Sequence, residues 1–250
     1  MGAERPGQAI LELESIVAGY GAMTILHALS LKVRRGTIPT IIGPNGAGKS
    51  TVFKTVFGLL AAREGRVRFD GRDVTNASPR RLLKLGMCYI PQGRNIFPEL
   101  SVLHNLELGG IAAEPGSDLN ARISLALERF PLLKEKARRQ ASTLSGGEQK
   151  LLEIARGLLL EPRLMLIDEP SIGLSPIMAR ETFAILKELR AQGVTVLMVE
   201  QNAKSALEIS DEGIVLELGQ TRLAESAAQM LADPRVGQLF LGGAMAGGAA

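Results

Sequence analysis

Apolar residues recur along the chain in two rhythms. In AILELESIVAGY they alternate with polar ones, the period of a half-buried strand, and HALSLKV reads as its antiparallel neighbour. TIPTIIG is short and apolar, then breaks at Gly43-Pro44, and KSTVFKTVFGLL follows as a helix. RVRFDGRDV carries a strand and a turn at Asp70-Gly71, and LGMCYIPQ is another buried strand. From about Gly93 to Gly157 the rhythm becomes helical, in VLHNLELGGIAA, DLNARISLALERFPLLKEKARRQ and EQKLLEIARGLLL. Strands return with RLMLIDEP, VTVLMVE and GIVLEL. Such alternation predicts an α/β fold with a helical block inserted into it. The ends, MGAERPGQ and GGAMAGGAA, offer nothing to pack and are expected to be disordered, as tails 1–9 and 244–250.

The break after TIPTIIG is chemically specific. Gly43, Pro44, Asn45, Gly46, Ala47, Gly48, Lys49 and Ser50 spell G-x-x-x-x-G-K-[ST], with Thr51 next, between a predicted strand and a predicted helix. Glycines let successive backbone N–H groups turn inward on a phosphate, and the helix N-terminus adds partial positive charge. Lys49 has the reach for β- and γ-phosphates, and the Ser50 hydroxyl suits Mg²⁺. RLMLIDEP then delivers Asp168 and Glu169 at a strand end. Asp168 suits the metal, and Glu169 suits the orientation or deprotonation of an attacking water. Together the two segments predict a P-loop nucleotide triphosphatase that uses Mg²⁺.

Composition narrows the partners. Hydrophobic residues make up 46% of the 250 positions and charged ones 22%, which suits a globular protein with a sizeable core. Aromatics reach only 4% with no Trp, and the net charge is +3, so neither a stacking platform nor a strong basic footprint for nucleic acid is present. Cys88 is the single cysteine and lies in the apolar run MCYI, so it reads as a buried, inert thiol. No run approaches the roughly 20 apolar residues of a membrane span, and the N-terminus has no apolar signal core. A cytoplasmic chain is expected, reaching a membrane only through a partner.

TLSGGEQKLLEIARGLLLEP supplies a second anion site. Ser145, Gly146 and Gly147 precede a helix, with Glu148 in its first turn. Two γ-phosphate sites in one chain make sense if each chain of a head-to-tail dimer closes the other's nucleotide site. GPNGAGKST, LSGGEQ and LMLIDEP, in this order, resemble the ATP-binding subunits of ABC transporters, over about Ile10 to Gly243. The resemblance implies a RecA-like P-loop core, 10–92 and 157–243, with an antiparallel β subdomain and an inserted α-helical subdomain, 93–156. It implies that Tyr20 stacks on adenine. It implies that Gln92, in YIPQGRNIF, touches Mg²⁺ or water and links core to insert, and that Gly173 lies in a loop crossing the dimer. The implied partners are a second ATPase subunit, two transmembrane permeases whose coupling helix meets the insert, and indirectly a periplasmic or extracellular solute-binding protein. The implied location is the cytoplasmic face of the membrane.

GRNIFPELSV, SIGLSP, VEQNAKSALEISD and DPRVGQLFLGG resemble, more narrowly, the branched-chain amino acid transporter ATPases. Urea and short-chain amide importer ATPases are close alternatives, and a non-transport ABC ATPase is a distant one. Two positions depart from the broad family. Gln201 stands where it usually has a γ-phosphate-contacting histidine, while His27, before an early strand, and His104, in the helical block, both read as structural. Gln can donate and accept a hydrogen bond but brings no charge. Ser175 ends the crossing loop where an Asp is usual. Both changes suit a heterodimer with unequal sites. Gln201 is expected to face the phosphate and Glu200, its neighbour, to point away.

Overall fold

The structure is a computed structural model and describes residues 8–112, 118–234 and 236. Of the expected tails, 1–7 and 244–250 lie outside the described residues, and Ala9 already opens the first strand. In chain order the elements are β1 (Ala9–Tyr20), β2 (Met23–Arg34), β3 (Pro39–Ile42), α1 (Lys49–Val56), β4 (Ala62–Phe69), β5 (Arg72–Asp73), α2 (Pro79–Lys84) and β6 (Met87–Ile90). The helical block follows as α3 (Val102–Gly109), α4 (Leu119–Arg129), α5 (Pro131–Glu135) and α6 (Gly146–Leu158). The chain then runs through β7 (Leu164–Asp168), α7 (Pro176–Ala191), β8 (Thr195–Val199), α8 (Ala203–Leu207), β9 (Glu212–Glu217), β10 (Gln220–Ser226) and α9 (Ala227–Ala232).

Two sheets result. A four-stranded sheet, β2-β1-β4-β5, is antiparallel, as the alternation in 9–34 predicts. The other has the order β10-β9-β3-β8-β7-β6, parallel except for its β10 edge. Strands buried on both faces read as continuous apolar runs. On β7, Leu164 and Leu166 face α1 and the four-stranded sheet, while Met165 and Ile167 face the helical block. On β8, Leu197 and Val199 take the first face and Val196 and Met198 the second. Phe53 of α1 is wholly buried on the first face. Burial of a side chain this size contributes about 2–3 kcal/mol.

Several elements differ from the sequence pattern. The predicted helix through 118–140 breaks at Phe130-Pro131 into α4 and α5, because a proline ring cannot continue the helix that precedes it. His27 lies within β2 rather than before a strand. α6 runs through the expected 156/157 boundary. It is buried on nearly all sides, including Lys150 and Glu153, so the helical block grips the sheet through one continuous rod.

Candidate nucleotide site

The C-terminal ends of the parallel strands converge on one cleft of about 530 Å³. Its walls include Asn45, Gly46, Gly48, Lys49, Ser50 and Thr51 from the loop between β3 and α1, Gln92 after β6, Glu169 after β7 and Gln201 after β8. Ligands of open α/β sheets settle at such strand ends. Gly48 caps α1 at φ 101°, a left-handed torsion that a side chain would strain. The free N–H groups of the first helical turn therefore open into the cleft. Lys49 Nζ donates to the Gly43 and Pro44 carbonyls at 2.8 and 3.0 Å, folded over its own loop.

Three buried charges sit together. Lys49, Asp168 and Glu169 are 6%, 1% and 7% exposed. Burial lowers the Lys49 pKa, against the pull of Glu169 and Asp168. Burial raises the Asp168 pKa, while hydrogen bonds from Ser50 and Tyr89 and the charges of Lys49 and Lys54 oppose the rise. Burial, then the Asp168 charge, raises the Glu169 pKa, partly offset by Lys49 and Gln92. Register sets this arrangement: Asp168 is the last residue of β7 and pairs with Val199, the last of β8. Glu169 follows at φ 49°, with its N–H donating to the Val199 carbonyl at 2.9 Å. Gln92 Nε2 donates to Glu169 Oε2 at 2.8 Å.

The donor set fits Mg²⁺. Asp168 Oδ1 is buried without a hydrogen-bond partner, while Tyr89 Oη lies 3.4 Å from its Oδ2. An orphaned carboxylate oxygen beside a serine hydroxyl offers the hard oxygen ligands that Mg²⁺ takes. Among the described residues no group of three or more His, Cys, Asp or Glu gathers as a metal cage. Mg²⁺ characteristically needs no such cage, since substrate phosphates and water supply most of its ligands.

Glu200 and Gln201 part as strand alternation predicts. Gln201 lines the cleft. Glu200 is 1% exposed and turns inward, its Oε1 accepting from Ser171 N at 2.7 Å and its Oε2 from Gln201 N at 3.1 Å. Burial raises its pKa, and the Ser171 hydroxyl and the N–H groups of Ser171, Gln201 and Asn202 oppose the rise.

The cleft does not gather every candidate. Tyr20 ends β1 half-exposed, with Lys54 Nζ 5.9 Å from its ring centroid, and does not line this cleft. Ser145, Gly146, Gly147 and Glu148 stand apart at the start of α6. There the Ser145 Oγ accepts from Glu148 N, and a Glu148 carboxylate oxygen accepts from Ser145 N at 2.9 Å, a reciprocal capping box. Lys136 Nζ donates to the other Glu148 oxygen at 2.5 Å. A Cβ at Gly147 would overlap the Met178 side chain of α7, so the glycine lets two helices touch. Ser175 caps α7, its Oγ accepting from Met178 N at 3.3 Å.

Sequence reasoning missed the face of α6 beneath the Gln92 loop. Lys150, Glu153 and Arg156, spaced three apart, all reach the segment from Gly93 to Phe97. The signal lay in the helix being apolar around those charges, which leaves them no route to water.

Comparison with known proteins agrees with this geometry. Residues 26–172 match the family model described as "ABC transporter". The chain is 39% identical over 234 residues to the high-affinity branched-chain amino acid transport ATP-binding protein BraG of Pseudomonas aeruginosa, across 94% of this chain and 100% of that protein. It is 35% identical to the probable branched-chain amino acid transport ATP-binding protein LivF of Archaeoglobus fulgidus, across 93% and 99%. Among solved structures, the ADP conformation of an ATP-binding cassette of an ABC transporter superposes with a TM-score of 0.84 at 34% identity, covering 94% of this chain and all of that one. The chain belongs to the ABC transporter family, as an ATP-binding and ATP-hydrolysing subunit closely related to the branched-chain amino acid transporter ATPases.

Proposed function

We propose that this subunit powers import of branched-chain amino acids, working from the cytoplasmic face of the membrane. The observation that carries the proposal is the end-to-end likeness to BraG, whose name states that transport. No helix among the described residues is long and apolar enough to cross a bilayer, so the route for the solute belongs to partners. Those partners are two permease subunits, a second ATPase subunit and, indirectly, a solute-binding protein. The helical block 93–156 receives the permeases' coupling helix.

ATP lies with its phosphates in the loop Gly43–Thr51 and its adenine against Tyr20. The first-turn N–H groups of α1 and the Lys49 ammonium hold charge on the β- and γ-phosphates. Ser50, Asp168 and Gln92 hold Mg²⁺, which when bound neutralises charge on the phosphate oxygens. Glu169 orients the attacking water and accepts its proton. The raised pKa of this carboxylate makes it a better base than an exposed one. Gln201 donates a hydrogen bond toward the γ-phosphate. Ser145, Gly146, Gly147 and Glu148 complete the nucleotide site of the second ATPase, and the two sites are unequal.

The test is uptake of labelled leucine in a strain lacking this gene, with urea and acetamide uptake as comparison. Loss of leucine uptake, restored by the gene, is the expected result. Intact leucine uptake with lost urea or acetamide uptake would replace the substrate class. For the unequal sites, the chain alone should hydrolyse ATP far more slowly than the two-ATPase complex.

A further inference from the structure

α6 carries a buried set of contacts that the reaction scheme above does not use. Lys150 and Glu153 are 4% and 5% exposed and form an ion pair at 2.6 Å. Glu153 Oε1 accepts from Asn95 N at 2.5 Å, and an Arg156 guanidinium nitrogen donates to Asn95 O at 2.5 Å. Asn95 Nδ2 in turn donates to Pro91 O at 2.9 Å, closing a short loop with Gln92 inside it. Lys150 Nζ lies 3.4 Å from Gly93 O, and the Arg156 guanidinium sits 5.1 Å from the Phe97 ring centroid. Both backbone groups of Asn95 are thereby fixed to one helix. At the loop's tip, Gln92 meets Glu169 at 2.8 Å.

We infer that Glu153, held by Lys150, is a positioning residue for hydrolysis, setting Gln92 against Glu169 through the Asn95 backbone. A buried ion pair is a poor source of stability, since desolvation offsets its attraction. It does fix a geometry, because neither partner has another place to go. α6 begins at Ser145–Gly147, so the same helix that offers this second anion site to the other ATPase also sets the angle of the chain's own Gln92 loop. The distance between the two ends is spanned by hydrogen-bonded helix, which transmits a tilt with little loss.

The inference rests on the assignment of Gln92 to the hydrolytic site, and the experiment separates the two. ATP turnover and ATP affinity are measured on the full-length chain in its two-ATPase complex. Misplacement of a catalytic group by about an ångström can lower the rate on the order of a hundredfold. Glu153→Ala and Asn95→Pro, which remove the acceptor and the donor of the Glu153–Asn95 hydrogen bond without removing Gln92, should each lower kcat by about tenfold. KM for ATP should stay within about twofold, because Lys49 and the phosphate loop are untouched. The pair Lys150→Met with Glu153→Gln keeps an acceptor for the Asn95 N–H and strands no charge, so it should recover most of kcat. Asn95 lies in an exposed turn, so its variant reports even if Glu153→Ala fails to fold. Unchanged kcat in Asn95→Pro, or a double variant that folds yet stays as slow as Glu153→Ala, overturns the inference. A Gln92→Ala variant with unchanged kcat would instead overturn the assignment of Gln92.

Discussion

Glu200 and Ser171 are joined at 2.7 Å, carboxylate to backbone N–H, across the gap between the ends of β8 and β7. The same carboxylate accepts the N–H of Gln201. One buried side chain thus fixes the loop after Glu169 and the residue facing the cleft from β8. Removing it leaves two partly buried N–H groups without this partner, at up to about 1–3 kcal/mol each. Glu200→Ala should lower the free energy of unfolding by about 2–5 kcal/mol in a urea titration, with a smaller loss for Glu200→Gln. An unchanged midpoint would show that other contacts hold the loop.

Glu169→Gln should keep ATP binding, since Lys49 and the loop Gly43–Thr51 are untouched. Turnover should fall by about 10²–10⁴, the usual contribution of a general base. Single-turnover hydrolysis beside equilibrium binding of a fluorescent ATP analogue checks this. Substantial residual hydrolysis would remove Glu169 from the role.

Gln201→Ala should lower kcat by about a hundredfold, as loss of one donor to developing charge does elsewhere. Gln201→His restores a donor and should recover much of the rate. If the alanine variant hydrolyses ATP and transports solute normally, Gln201 is only a strand terminus.

Cys88 is buried against α6, and burial pushes its thiol pKa up to about 12. At pH 8 only about one thiol in ten thousand is ionised, and the thiolate is the reactive form. Iodoacetamide should leave the native protein unlabelled and modify it fully in denaturant. Rapid native labelling would mean that α6 opens readily from the sheet.

The outer strands were legible because their side chains repeat with the period of their backbone, and the phosphate loop because its glycines, Lys49 and Ser50 fall at a fixed spacing. β3, β7 and β8 are short apolar runs because both their faces are covered. Other elements had weaker signatures. α7, with 16 residues, buries only Thr182, Phe183, Leu186 and Leu189, a narrow stripe that begins behind a proline. β10 is an edge strand with only partial burial at alternate positions, so little apolar pattern marks it. α8 is five residues long, too short for a helical period to show. At the site, residue types announced Lys49, Asp168 and Glu169. The Asn95 contacts stayed hidden because they are made by backbone atoms, which every residue carries.

The reciprocal cap between Ser145 and Glu148, braced by Lys136, has a consequence for assembly. A loop bearing glycines ordinarily loses much conformational freedom when it docks, and that loss weakens association. Here the turn is already locked by its own side chains and seated on α7 through Gly147. In the proposed pairing with a second ATPase, the Ser145–Gly147 end would therefore be a preformed mould, and closure between the subunits would be fast and reversible rather than slowed by folding at the contact.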